Sequence, residues 1–253
     1  MHKVNDYRIT IQGVFALVLG CICCMSLSCG SADLSKGPKK TLSTSDFNDW
    51  KDYAGWEIVG DAMLNPDNPK LLSTKPGTGV LINGPVGKTG DIKTKEKFGD
   101  VYLHVEFIIS QSSNSGVYLQ GQYEIQIFDS YQMKNPPYPG IECGGIYERW
   151  DEKRTPKGYE GHSPQVNAER APGNWQTFDI IFRAARFDND GKKIANAKFE
   201  KILLNGVLIH ENVELTGPTR GSMLPNDIPL GPLRLQGDHG PVAFRNIWYC
   251  RLN

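Results

Sequence analysis

The chain has 253 residues, and its 28 Lys and Arg are balanced by 28 Asp and Glu, for a formal net charge of zero. That length suits one sizeable domain. The neutral balance, with no long basic run, argues against a nucleic-acid partner, which needs a basic footprint to displace counterions.

Residues 1–12 carry Lys3 and Arg8, and the run from Val14 to Ile22 is apolar but too short to be a comfortable bilayer span. It leads to Ser26-Leu-Ser-Cys-Gly30. A small residue before a cysteine and a glycine after it read as a lipoprotein cleavage box. This predicts an export signal over residues 1–28, lipidation of Cys29, and a lipid-anchored location in the periplasm or cell envelope. An ordinary signal peptide cleaved nearby is the alternative, because Ser26 stands where such boxes usually carry leucine. Residues 29–43 are small and polar, which predicts a flexible tether before a domain over 44–253. Beyond Cys29 only Cys143 and Cys250 remain, and an oxidising compartment leaves open whether they pair.

The domain reads as all-β. Trp56-Glu-Ile-Val59 fits a first strand, and residues 61–90, rich in Asn-Pro, Pro-Gly and Asn-Gly steps, read as loops around short strands. Val101, Leu103, Val105 and Phe107 alternate with Tyr102, His104 and Glu106. Gly116 to Gln120 alternates again, as does Tyr123 to Ile127. These three segments predict one sheet with a core face and a polar, aromatic face. Residues 130–171 have little periodicity and read as long functional loops. Strands resume at Trp175 to Phe182. A hairpin follows around Asn205-Gly206, the strongest two-residue turn signal, and then come Leu233 to Gln236 and Val242 to Tyr249.

Three constellations carry chemistry. In Glu124-Ile-Gln-Ile-Phe-Asp129, Glu124 and Gln126 share one strand face, with Asp129 reachable only at a bulge or strand end. The spacing resembles the two-carboxylate strand of laminarinase-like glucanases. Gln126 stands where the middle acid would be, which speaks against a conventional glucan hydrolase. His239 lies in Leu235-Gln-Gly-Asp-His-Gly240, a glycine-flanked turn suited to proton transfer or metal ligation. Asn114 opens a turn before the strand carrying Tyr118 and Gln120, and Arg245 lies on the last strand. His104 shares a polar strand face, while His162 and His210 carry weaker signals.

Ser113-Asn-Ser-Gly-Val-Tyr-Leu-Gln120, Tyr123 to Asp129, Cys143-Gly-Gly-Ile-Tyr147, Gly173 to Asp179, Leu204-Asn-Gly206 and Gly231 to Ile247 occur in this order. Together they closely resemble the 3-keto-disaccharide hydrolase family, also called domain of unknown function 1080. The resemblance implies a concanavalin A-like jelly-roll β-sandwich of two antiparallel sheets. It also implies cleavage of glycosides already oxidised to a ketone at sugar carbon 3, through C2 deprotonation and elimination or net hydrolysis. On this resemblance Glu124 and His239 are the expected catalytic residues, each a base or a ligand. Asn114, Tyr118, Gln126 and Asn167 would hold sugar hydroxyls. Gln120, where many members carry arginine, would bear on substrate preference, and Arg245 would orient a carboxylate. No cofactor is demanded; a divalent metal held by Glu124 and His239 stays open. A non-catalytic carbohydrate-binding module on the same sandwich is the competing reading.

Overall fold

The computed structural model describes residues 37–252. The expected signal segment and Cys29 lie outside those residues. The described residues contain no helix. In chain order the strands are β1 (Lys40–Thr41), β2 (Trp50–Lys51), β3 (Glu57–Leu64), β4 (Leu72–Ile82), β5 (Ile92–Phe98) and β6 (Val101–Ile109). Next come β7 (Asn114–Leu119), β8 (Tyr123–Phe128), β9 (Arg149–Trp150), β10 (Gly158–Tyr159), β11 (Gln176–Arg183) and β12 (Arg186–Phe187). The last are β13 (Lys193–Ala195), β14 (Ala197–Leu204), β15 (Val207–Leu215), β16 (Gly231–Leu235) and β17 (Val242–Arg251).

Two antiparallel sheets form the sandwich. One runs β15-β14-β11-β6-β17-β4-β3 with β1 added to β17, and the other runs β2-β5-β16-β7-β8. The alternating apolar residues turn inward between them. Leu103, Val105 and Phe107 of β6, Phe178 and Phe182 of β11, and Val117, Ile125 and Leu235 of the second sheet are all buried in one core. Phe182 meets Tyr123 of β8 across the gap at a centroid distance of 5.3 Å. Burying such a side chain stabilises the fold by about 1.5–3 kcal/mol.

Several expectations need correction. β6 does not share a sheet with β7 and β8; it lies in the opposite one. Alternation fixes which residues point inward, but it does not say which sheet they belong to. Residues 72–82 form an eleven-residue strand where loops around short strands were expected. The stretch Lys75-Pro-Gly-Thr-Gly79 sits beside a register shift in the β3–β4 pair. There the turn-forming residues serve a bulged, exposed strand. Residues 40–42, expected in the tether, belong to the β-domain, because Lys40 and Thr41 pair with Tyr249 and Trp248, and Leu42 is buried in the core. Cys143 and Cys250 are separate free thiols.

The Asn205-Gly206 hairpin forms as read, with φ of 54° and 80° at the two turn residues, the signature of a type I′ turn. The β7–β8 hairpin turns the same way, at Gln120 (φ 56°) and Gly121 (φ 65°). β8 is the last strand of its sheet, but its outer edge is covered. Gly144 N–H donates to Gln126 O, Gln126 N–H to Gly145 O, and Tyr147 N–H to Glu124 O, at 2.8, 2.8 and 3.1 Å. His210 on β15 holds this covering segment through Nε2 and Gly144 O, 2.9 Å apart. Burial pushes the His210 imidazole down to about 4, so it is neutral at ordinary pH.

Candidate functional site

The outward face of the second sheet is built from strand register. Arg234 of β16 pairs with Tyr118 of β7, which pairs with Glu124 of β8. One row along the strands, Gly116 pairs with Gln126, and Gln236 N–H donates to Gly116 O at 3.0 Å. Side chains in a cross-strand row are neighbours on one face. They therefore meet above the sheet in a cleft of about 250 Å³. Asn114, Tyr118, Glu124, Gln126 and His239 all line it, joined by Tyr147, Arg220 and Gln236.

Glu124 is 2% exposed. Gly116 makes room for it: a Cβ at residue 116 would lie 2.2 Å from Glu124 Oε1. With its amide turned to satisfy its neighbours, Gln126 donates to Glu124 Oε1 at 3.0 Å and to Ser115 O at 3.2 Å. Glu124 Oε2 has no hydrogen-bond partner among the described residues. Burial pushes the carboxyl up to about 8, against the pull of the Tyr118 hydroxyl and the Arg234 guanidinium. A carboxyl of that strength carries a proton at neutral pH and has a donor to offer.

His239 stands at the rim, half exposed, with Nδ1 against the Asp238 carboxylate. A carboxylate at Nδ1 favours the tautomer protonated there and leaves the Nε2 lone pair free. The turn that carries it is pinned from below. Buried Asn83 donates to Gly237 O and Gly240 O, each at 2.8 Å, and accepts from Val242 N–H at 2.8 Å. Asp91 accepts from Gly237 N–H at 3.1 Å.

Three expected site residues lie away from this cleft. Gln120 occupies the hairpin turn, where its amide donates to Phe98 O and Pro229 O at 3.1 and 2.9 Å. Asn167 ties the long loop together, donating to Ser130 O and accepting from Glu169 N–H at 3.0 Å each. Arg245 points off the other sheet, with Nε 2.6 Å from Glu106 Oε2 and its guanidinium 3.9 Å from the Trp175 ring centroid. His104 is on that far face too, stacked on Trp248 and paired with Asp179. Asp129 ends its strand by accepting from Ser112 N–H.

Sequence reasoning passed over Arg234, Tyr147, Arg220 and Gln236. Arg234 and Gln236 had a readable signal, since both alternate outward against Leu233 and Leu235. Tyr147 and Arg220 arrive on loops and had none. As for a metal, no grouping of three or more His, Cys, Asp or Glu side chains occurs among the described residues. Glu124 and His239 supply only two donors, and Glu124 Oε1 already accepts from the Gln126 amide. That pair alone does not fit a divalent ion.

A sequence profile of the 3-keto-alpha-glucoside-1,2-lyase-like domain matches residues 40–249. The chain belongs to this family. A candidate glycosyl hydrolase of Parabacteroides distasonis ATCC 8503, known from its crystal structure, is 32% identical; the match covers 84% of each chain with a TM-score of 0.57. A second candidate glycosyl hydrolase from the same organism is 22% identical, over 84% of this chain and 100% of that one, with a TM-score of 0.48. No curated protein matches the chain significantly. Family and fold together give a carbohydrate-active protein on a glycosyl-hydrolase-type β-sandwich.

Proposed function

We propose that this protein cleaves the glycosidic bond of sugars oxidised to a ketone at C3, with Glu124 as acid and His239 as base. A ketone at C3 acidifies the C2–H bond, because the electron pair left behind is delocalised onto the carbonyl oxygen. Nε2 of His239 takes that proton. The enolate then expels the C1–O bond, giving a C1=C2 double bond conjugated with the restored ketone. The proton on Glu124 goes to the departing oxygen, which leaves as an alcohol. Addition of water across C1=C2 makes the net reaction a hydrolysis. Arg220, the arginine lining the cleft, is the donor for the enolate oxygen. Asn114, Tyr118 and Gln126 hold hydroxyls.

The observation that carries this reading is the pairing of unlike environments in one cleft. A buried carboxyl kept protonated up to about pH 8 faces the same space as an exposed imidazole with its Nδ1 on a carboxylate. A carboxyl that carries a proton and an imidazole with a free nitrogen lone pair divide the acid and base roles between them. Elimination also needs no second carboxylate, in keeping with Gln126 at its position.

The test is incubation with a 3-keto-disaccharide, with and without chelator, following released monosaccharide and the absorbance of the conjugated ketone. Glu124→Gln should lower turnover about tenfold or more. Binding without release would instead make the protein a carbohydrate-binding module. From residues 14–30 we also propose export and lipidation at Cys29; labelled palmitate should enter the wild-type chain and not Cys29→Ser.

A further inference from the structure

Arg220 reaches the cleft from the segment that follows β15. Its backbone is fixed on both sides. Thr219 donates from N–H and Oγ1–H to Gln122 O, each at 3.0 Å, and its Oγ1 accepts from Glu124 N–H at 3.1 Å. Gly221 O accepts from Arg234 Nη2 at 2.7 Å, and Arg220 N–H itself donates to Glu148 O at 2.8 Å. The side chain is less constrained. It is nearly half exposed, its guanidinium donates no hydrogen bond among the described residues, and its ion pair with Glu148, Nη1 to Oε1, is long at 3.7 Å.

An aromatic face supplies the missing constraint. The guanidinium carbon of Arg220 lies 3.9 Å from the Trp150 ring centroid. Trp150 is held in its turn. On β9 it pairs with Gly158 of β10, its Nε1–H donates to Glu152 Oε1 at 2.8 Å, and Glu152 Oε2 accepts from Lys157 Nζ at 2.6 Å. Lys157 Nζ also lies 6.0 Å from the same ring centroid. The Glu148 carboxylate is seated against Gly158, where a Cβ would overlap Oε2. Arg149 ties this hairpin to the body of the domain, its Nη1 donating to Glu160 Oε2 and to Thr216 Oγ1.

We propose that Trp150 is the positioning residue for Arg220: stacked on the guanidinium, it holds the cation at the cleft, ready for the charge that develops on the enolate oxygen. A planar guanidinium on an indole face keeps both its place and its plane, whereas a single ion pair at 3.7 Å fixes neither. An unsupported arginine has to be gathered from many rotamers whenever charge develops. A donor already in place needs no such reorganisation, which is what makes it effective in a transition state. Trp150 thus acts through Arg220 and not on the substrate. This inference rests on the role given to Arg220 above.

The experiment is a double-mutant cycle with a 3-keto-disaccharide on the wild type, Trp150→Leu, Arg220→Gln and the pair. Trp150→Leu should lower kcat about fivefold, with KM within about twofold. Trp150→Phe, which keeps a ring face, should recover most of that loss. In the Arg220→Gln background, Trp150→Leu should cost no more than about 1.5-fold. A loss of the same size in both backgrounds would mean that Trp150 acts through the fold. No loss in either would mean that Arg220 needs no support. Each of these overturns the proposal. A second readout does not depend on turnover. The Nε–H proton of Arg220, assigned by its disappearance in Arg220→Gln, should be shifted upfield by the indole ring in the NMR spectrum of the wild type. It should return towards the ordinary arginine position in Trp150→Leu. If no keto-sugar is turned over and this shift behaves as stated, the catalytic reading fails and the placement of Arg220 by Trp150 stands. An Nε–H signal indifferent to Trp150 overturns the placement whatever the kinetics show.

Discussion

The guanidinium of Arg234 lies 3.5 Å from the centroid of the Tyr118 ring, and strand pairing carries Tyr118 on to Glu124. Arg234 is itself 8% exposed. Its Nη2 donates to Gly221 O at 2.7 Å, and its Nε is 3.5 Å from Asp91 Oδ2. The cation is thus held under the cleft, where it favours the ionised form of Glu124. Removing it with Arg234→Met should raise the carboxyl further above about 8. If Glu124 works as the acid, the alkaline limb of the kcat/KM profile should move up with it. A limb that stays in place, or moves down, would exclude the assigned role.

Gly116→Ala tests the same carboxyl from the opposite side. The added methyl would lie 2.2 Å from Glu124 Oε1, so the side chain has to swing out of its seat. Turnover should drop about tenfold or more, while thermal stability changes little by comparison. Retained turnover would mean that the seat of Glu124 is irrelevant to the chemistry.

Asn83→Ala should hit stability and activity together. Three partners of the 237–242 turn lose their side-chain bonds; Gly237 O keeps the Thr89 N–H and hydroxyl, and each of the two orphans, Gly240 O and Val242 N–H, costs about 1–3 kcal/mol. Urea unfolding should register a loss of about 2 kcal/mol or more. The fraction that remains folded should turn over slowly, because His239 rides on that turn. Full activity per folded molecule would separate the turn from the site.

Glu169 gives a pH prediction. It is buried, with Oε2 accepting from Ser130 N–H and Oγ–H at 2.9 and 2.8 Å and Oε1 unpartnered. Burial raises it from 4.5 to about 8. Between those values the folded chain keeps a proton that the unfolded chain has released. Its contribution is therefore full below about 4.5, declines as pH rises, and is gone above about 8. Glu169→Gln should flatten this decline, by at most about 1.4 kcal/mol per pH unit. Urea midpoints at the two ends of the window check it; equal declines in both proteins would contradict it.

Much of this was legible in the chain. Period-two alternation from Gly116 to Ile127 placed Tyr118, Glu124 and Gln126 on one outward face, and the glycine-flanked turn singled out His239. What alternation lacks is the identity of the sheet. Glu106 and Arg245 point outward as correctly as Glu124 does, but from the opposite layer, where they bind each other. Nor does it foresee that a nominal strand residue such as Gln120 will sit in a left-handed turn. Residues delivered by long loops, Tyr147, Arg220 and Glu148, are placed by tertiary packing alone.

The segment from Cys143 to Tyr147 matters beyond the cleft it borders. By covering the outer margin of β8 it removes the exposed backbone groups that would let another copy of the chain add on. At the far end of the same sheet β2 is two residues long, too short to serve as a template. A sheet blunted at both ends resists self-templating into fibrils, so the margin of the strand that carries Glu124 is closed to pairing with another copy.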